Sequence, residues 1–263
     1  MGWGDEIIAT GQAKAAHALD GRRVQILDRH GKPRWHEAWE RNPKIARPDE
    51  RGDFHGVVNS YGCRPYHTAV TRERYSFRLD FRPVPGELHF TPQERDYAAA
   101  QRRPQVVISA DLKQGASPNK HWGRKRWRAF VELARRRYDL VQLEGPGHPR
   151  IEFVRRIDTR TMRVACAVLA TAAAYVGHEG GLHHAAAALG VPGVVIFGGF
   201  TPVELTGYPT HRNLGVSLGD ACGLRTPCEH CARAMKAITP ERVLAELDEV
   251  LTVKHAAEQM AIA

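Results

Sequence analysis

The chain has 263 residues, with 38 Lys and Arg against 29 Asp and Glu and a net charge of +9. That length holds one large domain or two modest ones with ample core, and no apolar run approaches the ~20 residues of a membrane-spanning helix. The opening MGWGDEIIATGQ lacks the basic-then-apolar order of a secretory signal, so a cytoplasmic location is expected. The basic balance favours acidic partners: nucleotides, phosphorylated glycans, nucleic acid, or a peripheral contact with an anionic membrane surface.

Gly2 and Gly4 precede Asp5 and a helix-like run ending near residue 19. Residues 24–27 read as a short strand, 30–33 as a turn, 35–39 as a short helix, 42–53 as loop and 56–60 as the end of another strand. From 61 to 105 the chain is rich in Arg, Tyr and Pro and shows little periodicity. The pattern then sharpens. Residues 105–110 form an apolar strand, 111–123 a polar loop, and 124–137 an amphipathic helix with Trp127, Phe130, Val131 and Leu133 as its apolar positions. A strand at 140–143 runs into a Gly/Pro turn at 144–149, and 161–171 is mostly helix.

Residues 174–199, AYVGHEGGLHHAAAALGVPGVVIFGG, read as strand, glycine turn, Ala-rich helix and buried strand. Gly190 and Pro192 end the helix at 182–189. Thr239 caps a last helix that starts at Pro240 and extends into the tail. Alternating strands and helices predict parallel sheet built from βαβ units. A join near 85–104 would divide the chain into residues 1–100 and 101–263.

A glycine turn feeding a helix start presents free N–H groups and the positive end of a helix dipole, which suits a phosphate. An ordinary strand–turn–helix unit without ligand reads the same way. Of five cysteines, Cys63 and Cys166 stand alone, while Cys222, Cys228 and Cys231 form C-x5-C-x2-C with His230 among them. One CxxC with a nearby Cys is a weak zinc pattern, so a reduced loop with no metal is the expectation. His178, Glu179, His183 and His184 also resemble a metal cluster, but their spacing departs from the helical HExxH pattern.

Four stretches, in order, carry a family resemblance: GWGDEIIATGQAKAA (2–16), VVISADLKQGASPNKHWGRKRWRAFVELA (106–134), VQLEGPGHP (141–149) and VGHEGGLHHAAAALGVPGVVIFGGFTP (176–202). The chain resembles family 9 glycosyltransferases of the lipopolysaccharide heptosyltransferase type. The resemblance implies an α/β fold with two Rossmann-like domains (GT-B), the N-terminal half being shortened. It implies an acceptor side in 1–100 and a nucleotide-sugar side in 101–263. It implies inverting, metal-independent transfer of a heptose-like sugar from a nucleotide-diphosphate sugar to a glycan or other hydroxyl-bearing acidic acceptor, as in lipopolysaccharide biosynthesis. No cofactor is expected beyond that co-substrate.

On the matching positions, Asp5 would be the general base and Lys120, in the K-x-W motif, would neutralise the departing diphosphate. Asp5 also reads as a plain helix cap and Lys120 as a solvated lysine. Ser117 and Asn119 would donate to phosphate. Gly180, Gly181 and Leu182 would offer N–H groups to the diphosphate. Glu179 would bind sugar hydroxyls or order the loop, His184 would face the cleft, and Thr201 would approach the sugar. An acid of this region, Glu144 or a neighbour, would bind the ribose; His148 lies on the same turn. The family's usual Asp-Thr or Asp-Ser is Glu179-Gly180 here. Two alternatives remain beside this reading. One is transfer to modified nucleic acid, suggested by the charge and the Arg- and Tyr-rich stretch; the other is a non-catalytic nucleotide- or phosphate-binding module.

Overall fold

The computed structural model describes residues 2–101, 105–112, 115–145, 150–217 and 219–262. A long helix, α1 (Trp3–Asp20), leads into β1 (Val24–Leu27), β2 (His55–Val58), a hairpin of β3 (His67–Val70) and β4 (Tyr75–Phe77), and α2 (Pro92–Ala99). Then follow β5 (Val106–Ser109), α3 (Arg124–Ala134), β6 (Leu140–Glu144), β7 (Arg155–Asp158), α4 (Met162–Leu169), β8 (Ala174–His178), α5 (Gly181–Ala188) and β9 (Gly193–Gly198). A short α6 (Val203–Thr206), β10 (His211–Gly215), α7 (Glu229–Ala237) and α8 (Pro240–Ile262) complete the chain.

Six strands, all parallel, form one sheet in the order β10-β9-β8-β5-β6-β7. Counted along the chain from β5, this is the doubly wound order 3-2-1-4-5-6. Alternate residues on each strand supply two cores. Val106, Ile108, Val176, Val194 and Ile196 pack with Trp122, Trp127 and Phe130 and with Val243 and Leu247 of α8. Val107, Tyr175, Val195 and Phe197 face Cys166, Val168 and Leu169 of α4 and Ala185 and Ala186 of α5. Both faces are therefore covered, which is why the central strands read as unbroken apolar runs.

Leu133 departs from the sequence reading. It is 40% exposed, whereas Trp127, Phe130, Val131 and Ala134 make the buried stripe at i, i+3, i+4 and i+7.

The α/β class with a shortened first half is what the structure shows. That half holds a two-stranded parallel sheet, β1-β2, under α1. Ala9 and Ala13 of α1 pack with Val24, Ile26, Trp39 and Ile45, while Ile7 joins the core beneath α4 and α5. One helix thus ties the small sheet to the large one. The segment carrying Val84 and Gly86 crosses α1 so closely that a Cβ on Gly11 would sit 2.2 Å from the Val84 carbonyl oxygen. Gly11→Ala must push backbone aside, so it is expected to destabilise the fold by about 1–3 kcal/mol or more; urea unfolding measures this, and an unchanged midpoint would rule out the close crossing.

Candidate active site

In open parallel sheets, ligands bind beyond the carboxyl ends of the strands where the strand order reverses. Here the reversal lies between β5 and β8, which pair through Ser109 and Gly177. The loop after β5 carries a 3-10 turn, Pro118–Lys120, and the loop after β8 carries Glu179 and Gly180 before α5. Lys120 Nζ forms an ion pair with Glu179 across this gap and lies 5.3 Å from the Phe200 ring centroid. Burial alone would raise the Glu179 carboxyl, but the Lys120 charge, with help from His184, holds it well below the usual carboxylate range. His184 Nε2 is 3.5 Å from Glu179 Oε1, and its Nδ1 pairs with the Tyr208 hydroxyl at 2.9 Å.

Gly180 is the N-cap of α5 and supplies no side-chain cap, so no side chain of the capping residue accepts from the first-turn N–H groups. A Cβ on Gly180 would meet nothing within 4 Å, so the turn faces open space. The start of α1 abuts the same place: a Cβ on Gly181 would lie 3.6 Å from Gly4 N, and one on Gly4 would lie 2.6 Å from His184 Cδ2. Two helix N-termini therefore converge.

Asp5, in the first turn of α1, is 6% exposed. Its Oδ2 accepts the Gly2 N–H at 3.3 Å and lies 3.1 Å from Arg64 Nε; its Oδ1 accepts the Tyr66 hydroxyl at 2.5 Å. The capping bond and the charge contacts coexist, and Oδ1 keeps a lone pair. Burial, and after it the Asp5 charge, raises the Tyr66 phenol well above its ordinary range, so it stays a donor.

The structure thus gathers Asp5, Lys120, Glu179, Gly180, Gly181 and His184 at one spot, with Leu182 on the first turn of α5 and Thr201 buried on the loop after β9. Ser117 and Asn119 are engaged elsewhere. Ser117 Oγ donates to the Leu224 carbonyl at 3.0 Å. Asn119 Nδ2 donates to the Leu224 and Thr226 carbonyls at 2.8 and 2.7 Å, and its Oδ1 accepts the Cys228 N–H at 3.1 Å. Glu144, at the end of β6, forms an ion pair with Arg156. His148 lies outside the described residues. His183 is fully buried among His184, Phe197, Tyr208 and His211, and its ring nitrogens have no hydrogen-bond partner among the described residues. Arg64, Tyr66 and Tyr208 were not anticipated from sequence. The first two fall in the stretch without periodicity, and their role depends on a partner some sixty residues away.

Two groups of metal-ligand side chains occur among the described residues. Glu179, His183 and His184 form one, but Glu179 is already neutralised by Lys120. Cys222, Cys228, His230 and Cys231 form the other, with one ligand atom of each within 4.8 Å of the rest. The sequence weighed this segment as a plain reduced loop; the fold brings its four ligand-type side chains to one point.

Burial lowers several histidines of this region. His67 and His211 fall to about 4, His178 to about 3, and His183 is also held well below the usual range. All four are neutral in the fold but protonate in the unfolded chain near pH 6.5. The stability present above pH 6.5 is therefore lost as pH falls toward the folded values. Between about pH 6 and 4.5 the slope is expected to reach on the order of 5 kcal/mol per pH unit. Thermal unfolding at stepped pH tests it: a midpoint that is flat from pH 7.5 to 5 would contradict it.

The profile of glycosyltransferase family 9 (heptosyltransferase) matches residues 66–237. Asp5 lies ahead of that stretch. No curated protein sequence matches the chain. Among solved structures, the glycosyl transferase family 9 protein of Veillonella parvula DSM 2008 has a TM-score of 0.65 at 14% identity, over 96% of this chain and 95% of that one. The iron-containing dodecameric glycosyltransferase TibC of enterotoxigenic E. coli H10407 gives 0.62 at 15% identity, over 95% and 73%. E. coli ADP-heptose lps heptosyltransferase II gives 0.49 at 21% identity, over 65% of this chain and 54% of that one, so this chain spans about half its length. No described helix is long and apolar enough to cross a membrane. Because the profile match runs from Tyr66, beside Asp5, through every strand of the six-stranded sheet, this chain belongs to glycosyltransferase family 9.

Proposed function

We propose that the chain is an inverting glycosyltransferase that takes a nucleotide-diphosphate sugar, heptose-like by analogy with its family, and transfers the sugar to a hydroxyl of a glycan or another acidic acceptor. Residues 101–263 hold the donor and residues 1–100 the acceptor side. The observation that carries this reading is the uncapped start of α5, opening on free space at the switch point with Lys120 on one side and Asp5 on the other.

The diphosphate lies against the N–H groups of Gly181 and Leu182, where the helix dipole favours negative charge. Lys120 exchanges Glu179 for the diphosphate and neutralises the charge that grows as the sugar–phosphate bond breaks. Helix dipole and lysine together do the work that a metal does at other diphosphate sites. Glu179, released, accepts from sugar hydroxyls, while His184 stays oriented by Tyr208. Asp5 takes the acceptor proton on the free lone pair of Oδ1 as the acceptor oxygen bonds to the sugar carbon; the nucleoside diphosphate leaves from the opposite face, and the configuration inverts. Tyr66 and Arg64 hold the carboxylate in place. Glu144 and Thr201 line the rim toward the nucleoside and the sugar. Ser117 and Asn119 act by fixing the Lys120 loop.

A mass-spectrometric screen of nucleotide sugars with the pure protein tests this. One donor is expected to be retained and turned over with no divalent cation added. Asp5→Ala should retain the donor without transferring it. Retention without turnover by the wild type, across acceptors, would favour a binding module instead.

A further inference from the structure

We propose that Cys222, Cys228, His230 and Cys231 bind one tetrahedral, thiolate-seeking divalent ion, zinc or ferrous iron, and that this ion braces the Lys120 loop and the β3–β4 hairpin around the donor site. Cys222 Sγ lies 3.1 Å from Cys231 Sγ and 3.6 Å from Cys228 Sγ, and His230 Nδ1 lies 4.0 Å from Cys231 Sγ. Ligands bonded at about 2.0–2.3 Å to one tetrahedral ion stand roughly 3.4–3.8 Å apart, close to this arrangement. A disulfide needs about 2.05 Å, and all the cysteines are free. Three thiolates with one imidazole select zinc or iron over magnesium or calcium.

The surroundings fit an ion as well. The Leu224 N–H points at Cys222 Sγ at 3.4 Å and the Cys231 N–H at Cys228 Sγ at 3.5 Å, so two sulfurs already accept the backbone bonds that metal thiolates accept. Cys228 caps α7, which sets Cys231 one turn along. The His230 ring is seated against Gly199, where a Cβ would come within 2.7 Å of its Cε1.

The segment 222–228 is tied to three neighbours. Its Leu224 and Thr226 carbonyls and its Cys228 N–H hold Ser117 and Asn119, next to Lys120. Tyr75 N donates to the Gly223 carbonyl at 2.9 Å, and Arg225 N to the Glu73 carbonyl at 2.8 Å, which anchors the hairpin that follows Arg64 and Tyr66. Cys222 N and Gly223 N donate to the Gly199 and Phe200 carbonyls at 3.0 and 3.1 Å. An ion at the four ligands fixes all three at once. The ion is a brace and takes no part in the transfer step. That these segments surround a donor site rests on the proposed function; the ion and the brace do not.

The test starts with elemental analysis of the protein purified without added metal. One zinc or iron per chain is expected, and the analysis tells the two apart. Cobalt exchanged into the wild type should show thiolate-to-metal charge transfer and tetrahedral d–d bands. Cys63→Ser, which alters an exposed cysteine outside the cluster, should keep the ion, and Cys231→Ala should lose it. Chelation should speed amide exchange about tenfold at 117–123 and 73–77 while leaving α3 protected. Absence of a stoichiometric ion together with no cobalt charge transfer overturns the site. Removal of the ion with unchanged exchange at 117–123 overturns the brace. Neither readout uses donor turnover, so a failed transfer assay leaves both intact.

Discussion

Asp5→Asn is expected to lower turnover by about 10²- to 10⁴-fold while changing donor affinity less than about threefold. The substitution keeps the size of the side chain and an oxygen able to accept from Tyr66, which donates at 2.5 Å, but removes the carboxylate proposed to take the acceptor proton. The effect belongs in kcat because the proposed function assigns the diphosphate to α5 and Lys120 rather than to Asp5. Tyr66→Phe separates positioning from proton transfer. It leaves the carboxylate and Arg64 in place and should cost about tenfold, since Asp5 loses an orienting contact but keeps both carboxylate oxygens. Single-turnover rates with the identified donor check both. Unchanged turnover in Asp5→Asn would leave Asp5 as a helix cap only, its other visible role through Gly2.

Lys120→Met is expected to damage both stability and donor binding. Glu179 is almost wholly buried, and Lys120 is the cation that keeps it ionised. Removing one partner of a buried pair leaves an uncompensated charge and typically costs about 3–5 kcal/mol. Glu179→Gln in the same chain removes the charge left behind, so the double variant should regain most of the stability. It should not regain donor affinity, because the cation proposed for the diphosphate is gone. Denaturant unfolding and donor titration of the four proteins form a double-mutant cycle. Additive stability effects would show that the two side chains do not interact in the folded chain.

The sheet was legible where burial is two-sided. The apolar runs at 105–110, 140–143 and 194–197 became β5, β6 and β9 because strands covered on both faces carry little polarity. The edge strands β7, RRID, and β10, HRNLG, carry charged and polar residues and gave no such run. The hairpin β3–β4 was equally silent, since its short strands are only partly buried. One signal was present and unread: Thr91 and Glu94 form a reciprocal cap that marks the start of α2.

The site divides in the same manner. Glu179, Gly180 and α5 are contiguous, so their local chemistry was readable. Lys120 was reachable through its motif. Arg64 and Tyr66 meet Asp5 only through the tertiary fold, and Tyr208 meets His184 in the same way. Ser117 and Asn119 looked like phosphate donors because sequence does not show that segment 222–228 takes up their hydrogen bonds.

The most direct test of the donor site is a structure of the protein soaked with a nucleoside diphosphate, the product common to this class of transfer. The diphosphate is expected within hydrogen-bond distance of the Gly181 and Leu182 N–H groups, with Lys120 Nζ moved from Glu179 onto a phosphate oxygen. A nucleotide bound away from the start of α5, or one bound there with the Lys120–Glu179 pair intact, would contradict the assignment.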